Sequence, residues 1–225
     1  MELRDRLVLA LDVDDIVAAG RMAKELQSWF GTVKVGLELY TACGPDAIAS
    51  FLDMGFQVFL DLKLHDIPTT VRRAARVIGG LGVRYLTLHA QGGAVMMRSG
   101  VDGLAEGAEA GGFMSPSALA VTVLTSDANA PGHILSQRMV PAAEAGCGGF
   151  VCSSADVREV KQLAPRLIVV VPGIRMPEGE VHDQARAASP VDAIAAGADL
   201  LVIGRTVTAA SDRTAAAEAL VASLA

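Results

Sequence analysis

Short apolar runs of β type return about every 25 to 30 residues along this chain, separated by Ala-rich stretches with helical spacing and by Gly, Pro and Asp punctuation. Such alternation is the mark of βα units, and eight are counted. The strand candidates are Leu7 to Asp12, Thr32 to Gly36, Gln57 to Leu62, Tyr85 to His89, Ala118 to Leu124, Gly149 to Cys152, Leu167 to Val171 and Leu200 to Ile203. Between the first two, Asp14 or Asp15 can cap a helix that carries Ile16, Ala19, Met22, Ala23, Leu26 and Trp29 on one face before Gly31 ends it. Eight units in 225 residues predict a single-domain (β/α)8 barrel over residues 1–225, with no room for a second domain. The rival is a doubly wound open sheet. That fold usually carries a G-x-G-x-x-G turn after its first strand, where this chain reads Ala10-Leu11-Asp12-Val13-Asp14. The Ala-rich tail from Thr206 onward predicts a closing helix, and the long segment Pro172 to Pro190 predicts a lid, centred on residues 173–188.

Alternation along the strands places charge in an unusual position. Val8, Ala10 and Asp12 share one face, as do Thr32 and Lys34, and Asp61 and Lys63, while Leu9, Leu11, Val33, Val35, Leu60 and Leu62 form the opposite faces. The polar members then point inward or over the mouth, at the carboxyl ends of strands one to three, where barrel enzymes place their catalysis. The densest cluster is Asp61-Leu62-Lys63-Leu64-His65-Asp66-Ile67-Pro68-Thr69-Thr70. Two carboxylates and an ammonium at a strand end are tolerable only where the charges offset one another, and the carboxylates favour the charged ammonium. Lys63 is therefore a candidate proton donor, with Lys34 extending the array. At the opposite side, Ile203-Gly204-Arg205-Thr206 offers close backbone approach and a forked cation suited to phosphate.

Composition narrows the partners. Nineteen basic against twenty-five acidic side chains, with no Lys/Arg-rich run and few aromatics, give a net charge of −6 and argue against nucleic acid and anionic membrane. No apolar stretch is long enough for a membrane span, and the charged residues from Met1 to Arg6 do not read as a secretory leader, so a cytosolic setting is expected. Three cysteines, Cys43, Cys147 and Cys152, suggest neither disulfides nor a zinc site.

The run DLKLHDIPTTV, with LALDV before it and VKVG between, resembles the orotidine 5′-monophosphate decarboxylase family; LTLHAQGG, AVTVLTS, VVPGIR and VIGRTVT extend the match over nearly the whole chain. The family more often has Phe at Leu64 and Asn at Thr69. The resemblance implies a catalytic tetrad of Lys34, Asp61, Lys63 and Asp66, with Lys63 delivering a proton to C6 as carbon dioxide leaves and Asp61 near the departing carboxylate. It implies that Asp12 and Lys34 hold the ribose, that Thr125 and Ser126 meet the pyrimidine edge, and that Gly204, Arg205, Arg175 and Gln184 hold the phosphate, Gln184 also reaching the base. It further implies a homodimer, with Asp66 and Thr70 entering the neighbouring site, and no metal or organic cofactor. The nearest alternatives are magnesium-dependent sugar-phosphate enzymes that share the Asp-x-Lys-x-x-Asp run, and a barrel that binds nucleotide without turning it over.

Overall fold

The computed structural model describes residues 2–124, 133–176 and 188–224. Eight parallel strands close into a barrel in chain order: β1 (Leu7–Leu11), β2 (Thr32–Gly36), β3 (Gln57–Leu64), β4 (Tyr85–His89), β5 (Ser117–Val121), β6 (Gly149–Val151), β7 (Ile168–Val171) and β8 (Leu200–Ile203). Closure is made by β1, which pairs Leu9 with Val33 of β2 on one side and with Ile203 of β8 on the other. The open-sheet alternative is thereby excluded.

Around the barrel run α1 (Leu3–Arg6), α2 (Ile16–Leu26), α3 (Leu37–Cys43), α4 (Asp46–Asp53), α5 (Pro68–Gly79), α6 (Gly93–Ala110), α7 (Ile134–Glu144), α8 (Val157–Leu163), α9 (Pro190–Ala196), α10 (Arg205–Thr208) and α11 (Arg213–Ala222). In α2 the Asp15 carboxylate accepts the Val17 amide at 2.8 Å, and Ala19, Met22, Ala23 and Leu26 are buried against the barrel. Trp29 lies beyond the end of α2, half-buried against the same core. The predicted closing helix is α11, capped by Asp212 and tied to α2 through Arg213 and Glu25 at 3.3 Å.

The period-2 pattern sorts the strand residues into two cores. Val8, Ala10, Phe59, Tyr85, Leu119, Val170, Leu200 and Val202 fill the barrel, while Leu7, Leu9, Leu11, Val33, Val35, Val58 and Leu60 pack outward against the helices. The two cores never exchange residues along β1 or β8, which is why a simple alternation was readable there.

Five strands depart from expectation: β1, β6 and β7 are each one residue shorter, and β3 and β5 differ by more. β5 was expected to run from Ala118 to Leu124, but its ladder ends at Val121. The Thr122 amide still reaches Val151 O at 3.2 Å, while the Thr122 carbonyl accepts from the Arg138 guanidinium of α7, so the chain leaves the sheet held by a side chain. β3 runs two residues beyond its expected end at Leu62, and it is not regular. Leu60 pairs with Leu86 and Leu64 with Leu88, so four steps on β3 match two on β4, and the surplus forms a bulge. Within it Lys63 has φ 51°, the left-handed region that costs a side-chain-bearing residue about 1–3 kcal/mol.

α5 and α6 meet backbone to backbone. A Cβ on Gly79 would collide with Leu104 O, one on Gly103 with Arg72 O, and one on Gly107 with Arg76 O. Only hydrogen at those positions allows the two helices to lie this close.

Candidate active site at the carboxyl mouth of the barrel

The inward residues of β1 to β4 converge on one chain of charge. Lys34 Nζ lies 2.8 Å from Asp12 Oδ1 and 4.0 Å from Asp61 Oδ2, and Lys63 Nζ lies 2.9 Å from that same Asp61 oxygen. The side chains of Lys34 and Asp61 are only 11% and 15% exposed, so neither charge is left to water: Lys34 is compensated first by Asp12, Asp61 first by Lys63, and the two by each other at longer range. Gly36 makes room for this contact: a Cβ there would stand 2.9 Å from Lys34 Nζ and 3.0 Å from Asp12 Oδ1.

Thr87, buried on β4, completes the array and was not singled out from the sequence. Its hydroxyl donates to Asp61 Oδ1 at 2.9 Å and accepts the Lys63 amide at 2.8 Å. The available signal was the same alternation, since Tyr85, Thr87 and His89 form the inward face of β4. A polar residue in that column stands apart from the apolar side chains that fill the barrel.

These groups open onto a cavity of about 500 Å³, lined on one side by Asp12, Lys34, Asp61 and Lys63 and on the other by Gly173, Arg175, Gly204, Arg205 and Thr208, with Ala10, Phe59, Val121, Val151 and Val202 as its apolar floor. Its size suits a ligand of nucleotide dimensions. Arg175 is buried; its Nη1 donates to Ile174 O at 2.9 Å, and Thr206 Oγ1 donates to the same carbonyl at 2.8 Å. The Arg175 amide bonds to Ala188 O at 2.9 Å, and Ile174 forms a bridge with Ala188, so the two ends of the segment predicted as a lid are joined at the rim. Gln184 lies outside the described residues, as do Thr125 and Ser126.

The mouth thus gathers Asp12, Lys34, Asp61, Lys63, Arg175, Gly204 and Arg205 and leaves out two of the expected residues. Asp66 and Thr70 are exposed on the exterior of the single chain, where Asp66 Oδ1 accepts the Ile67 amide at 2.6 Å. Cys152 lines the cavity too, but burial, assisted by the Asp156 carboxylate, pushes its thiol far up, and Cys147 is pushed up to about 12 by burial. Neither thiol is a nucleophile at neutral pH. Among the described residues no three His, Cys, Asp or Glu side chains cluster as metal ligands, and no helix is long and apolar enough to cross a membrane.

A closed parallel barrel with an alternating lysine–carboxylate array at its carboxyl mouth defines a (β/α)8-barrel enzyme. The chain belongs to the orotidine 5′-phosphate decarboxylase / HUMPS family, whose pattern matches residues 5–220. It is 43% identical to the orotidine 5′-phosphate decarboxylase of Anaeromyxobacter dehalogenans over the full length of both chains. With that of Moorella thermoacetica it shares 39% identity over all of this chain and 94% of the relative. Among solved structures, orotidine 5′-phosphate decarboxylase from Lactobacillus acidophilus superposes with a TM-score of 0.83 at 35% identity, covering 97% of this chain and 98% of that one.

Proposed function

We propose that this protein decarboxylates orotidine 5′-monophosphate to uridine 5′-monophosphate and carbon dioxide in pyrimidine biosynthesis, with no metal or organic cofactor. The observation that carries the reading is Lys63: its ammonium is held 2.9 Å from Asp61 at the edge of a nucleotide-sized cavity, on the only left-handed side-chain-bearing residue of the described backbone. The full-length relatives at about 40% identity support the substrate.

The chemistry follows from charge. Breaking the bond between C6 and the carboxylate releases carbon dioxide and leaves an electron pair in an sp² orbital at C6, with no conjugated carbonyl to absorb it. A fixed ammonium beside that carbon stabilises the developing charge and then supplies the proton, and Lys63 recovers its own from water. Asp61 near the substrate carboxylate raises the energy of the bound ground state relative to a transition state whose carboxylate charge is leaving. Lys34, between Asp12 and Asp61, supplies a second fixed cation where a metal-dependent enzyme would use an ion.

Asp12 and Lys34 take the ribose hydroxyls in this reading, and Thr125 and Ser126 the pyrimidine edge. Arg175, Gln184, Gly204 and Arg205 take the phosphate, with residues 173–188 as the lid over it. The exposed positions of Asp66 and Thr70, beside an Ile67 that is 66% exposed, support a homodimer in which both enter the neighbouring site. Unpaired buried cysteines fit a cytoplasmic setting.

The test is ultraviolet absorbance of the purified protein with orotidine 5′-monophosphate in excess chelator, beside Lys63→Ala. Substrate loss in the wild type alone, with uridine 5′-monophosphate and carbon dioxide as products, is the expected outcome; Lys63→Ala should fall by at least about 10³-fold. Turnover that appears only when magnesium is restored would overturn the cofactor-free mechanism, and undiminished turnover in Lys63→Ala would remove the proton donor.

A further inference from the structure

Two histidines at the mouth take no part in the chemistry described so far. His65 follows β3 directly and His89 closes β4; their rings stack with centroids 5.4 Å apart and planes 19° from parallel. The register brings them together. Beyond the bulge Leu64 faces Leu88, so the next residue on each parallel strand, His65 and His89, comes face to face.

Each ring has a second attachment. His89 Nδ1 accepts the Gln91 amide at 3.2 Å and caps the short turn Ala90–Gly92, which puts the ring proton of neutral His89 on Nε2. His65 lies against that same turn: a Cβ on Gly92 would stand 3.2 Å from His65 Cδ2. The bulge is therefore fixed on both flanks. Upstream, Thr87 ties Asp61 to the Lys63 amide; downstream, His65 is docked on His89 and its turn; Lys63, with its strained backbone, stands between.

We propose that the His65–His89 stack is a positioning clamp for Lys63, holding the strained bulge so that the ammonium stays aimed at the reacting carbon. The inference rests on Lys63 being the proton donor. A left-handed residue in a bulge persists only where its surroundings over-determine it, and the stack supplies the downstream constraint. The clamp works through ring contact, so a phenyl ring at position 89 serves where a methyl stub does not. It acts on the reacting step and leaves the Arg175 and Arg205 side of the cavity untouched, so it separates kcat from KM.

The experiment is steady-state kinetics on orotidine 5′-monophosphate with the whole protein: wild type, Lys63→Ala, His65→Ala, His89→Ala, His89→Phe and the double alanine variant. Each single alanine variant is expected to lower kcat by about 10- to 100-fold with KM changed by no more than about twofold. His89→Phe should bring kcat back to within about fivefold of wild type, ring contact being what the clamp needs. The double variant should be no slower than either single, as for two halves of one contact. His65 is exposed, so its replacement leaves the fold intact, and calorimetric binding of uridine 5′-monophosphate at wild-type affinity verifies the site. An unchanged kcat in His65→Ala overturns the clamp, as do losses that multiply in the double variant or a His89→Phe no faster than His89→Ala. Wild-type turnover in Lys63→Ala removes the proton donor and the clamp with it, whereas loss there without loss in the histidine variants removes the clamp alone.

Discussion

Thr87 shows how much one hydroxyl can carry at this mouth. It is the partner of both a partly buried carboxylate oxygen and the amide of a strained lysine, so Thr87→Val, which keeps the shape, removes the partner of both groups at once. The variant should lose about 1–3 kcal/mol of unfolding free energy in urea titration and lower kcat as Lys63 loosens; unchanged stability would show that water replaces the hydroxyl. The charged residues were legible in the sequence because a lysine or carboxylate on an inward strand face has few innocent explanations. Thr87 was overlooked because threonine is common in strands for its shape alone. Gly36 was visible in VKVG, but the reason for it, room for Lys34 beside Asp12, belongs to three dimensions.

Elements differ in how far pattern alone describes them. β2, β4 and β8 were bounded correctly to the residue, because each is a short apolar run ended by Gly, Ala or a helix start. β3 could not be, because its bulge depends on what β4 offers opposite it, and period-2 counting contains no partner strand. His89, beside the bulge, is also coupled to pH. Burial above all, then the positive charges of His65, of Arg138 on α7 and of Lys63, holds His89 below the ordinary value of 6.5. The unfolded chain therefore binds the proton more readily, so stability is complete above that value and falls as the pH drops from it towards the lowered pKa of the folded ring. Thermal unfolding between pH 8 and pH 5 should show Tm falling across the acid part of that range, and a shallower fall in His89→Phe; equal slopes would assign the loss to other groups. The α5–α6 contact makes a different demand. Gly107→Ala places a methyl group into Arg76 O and should cost about 3 kcal/mol or more, with the helices forced apart. Denaturant titration with no change in midpoint would mean that the seam gives way freely.

At the scale of the whole molecule, the barrel was legible because its eight repeats each announce themselves locally, and the family resemblance runs through all of them. The closure was not, because nothing near Leu7 in the sequence names Leu201 as its neighbour. That closure has a consequence for how the chain is made. A ribosome delivers β1 before β8, so the edge of β1 that β8 will cover stays bare until β8 emerges, and the residues of β1 to β4 are made before those of the opposite wall. Such an edge is a template for stray pairing, and long-range closure is slow. The apolar strands that make the finished barrel sound are thus the ones that leave the nascent chain open to stray pairing until β8 closes it.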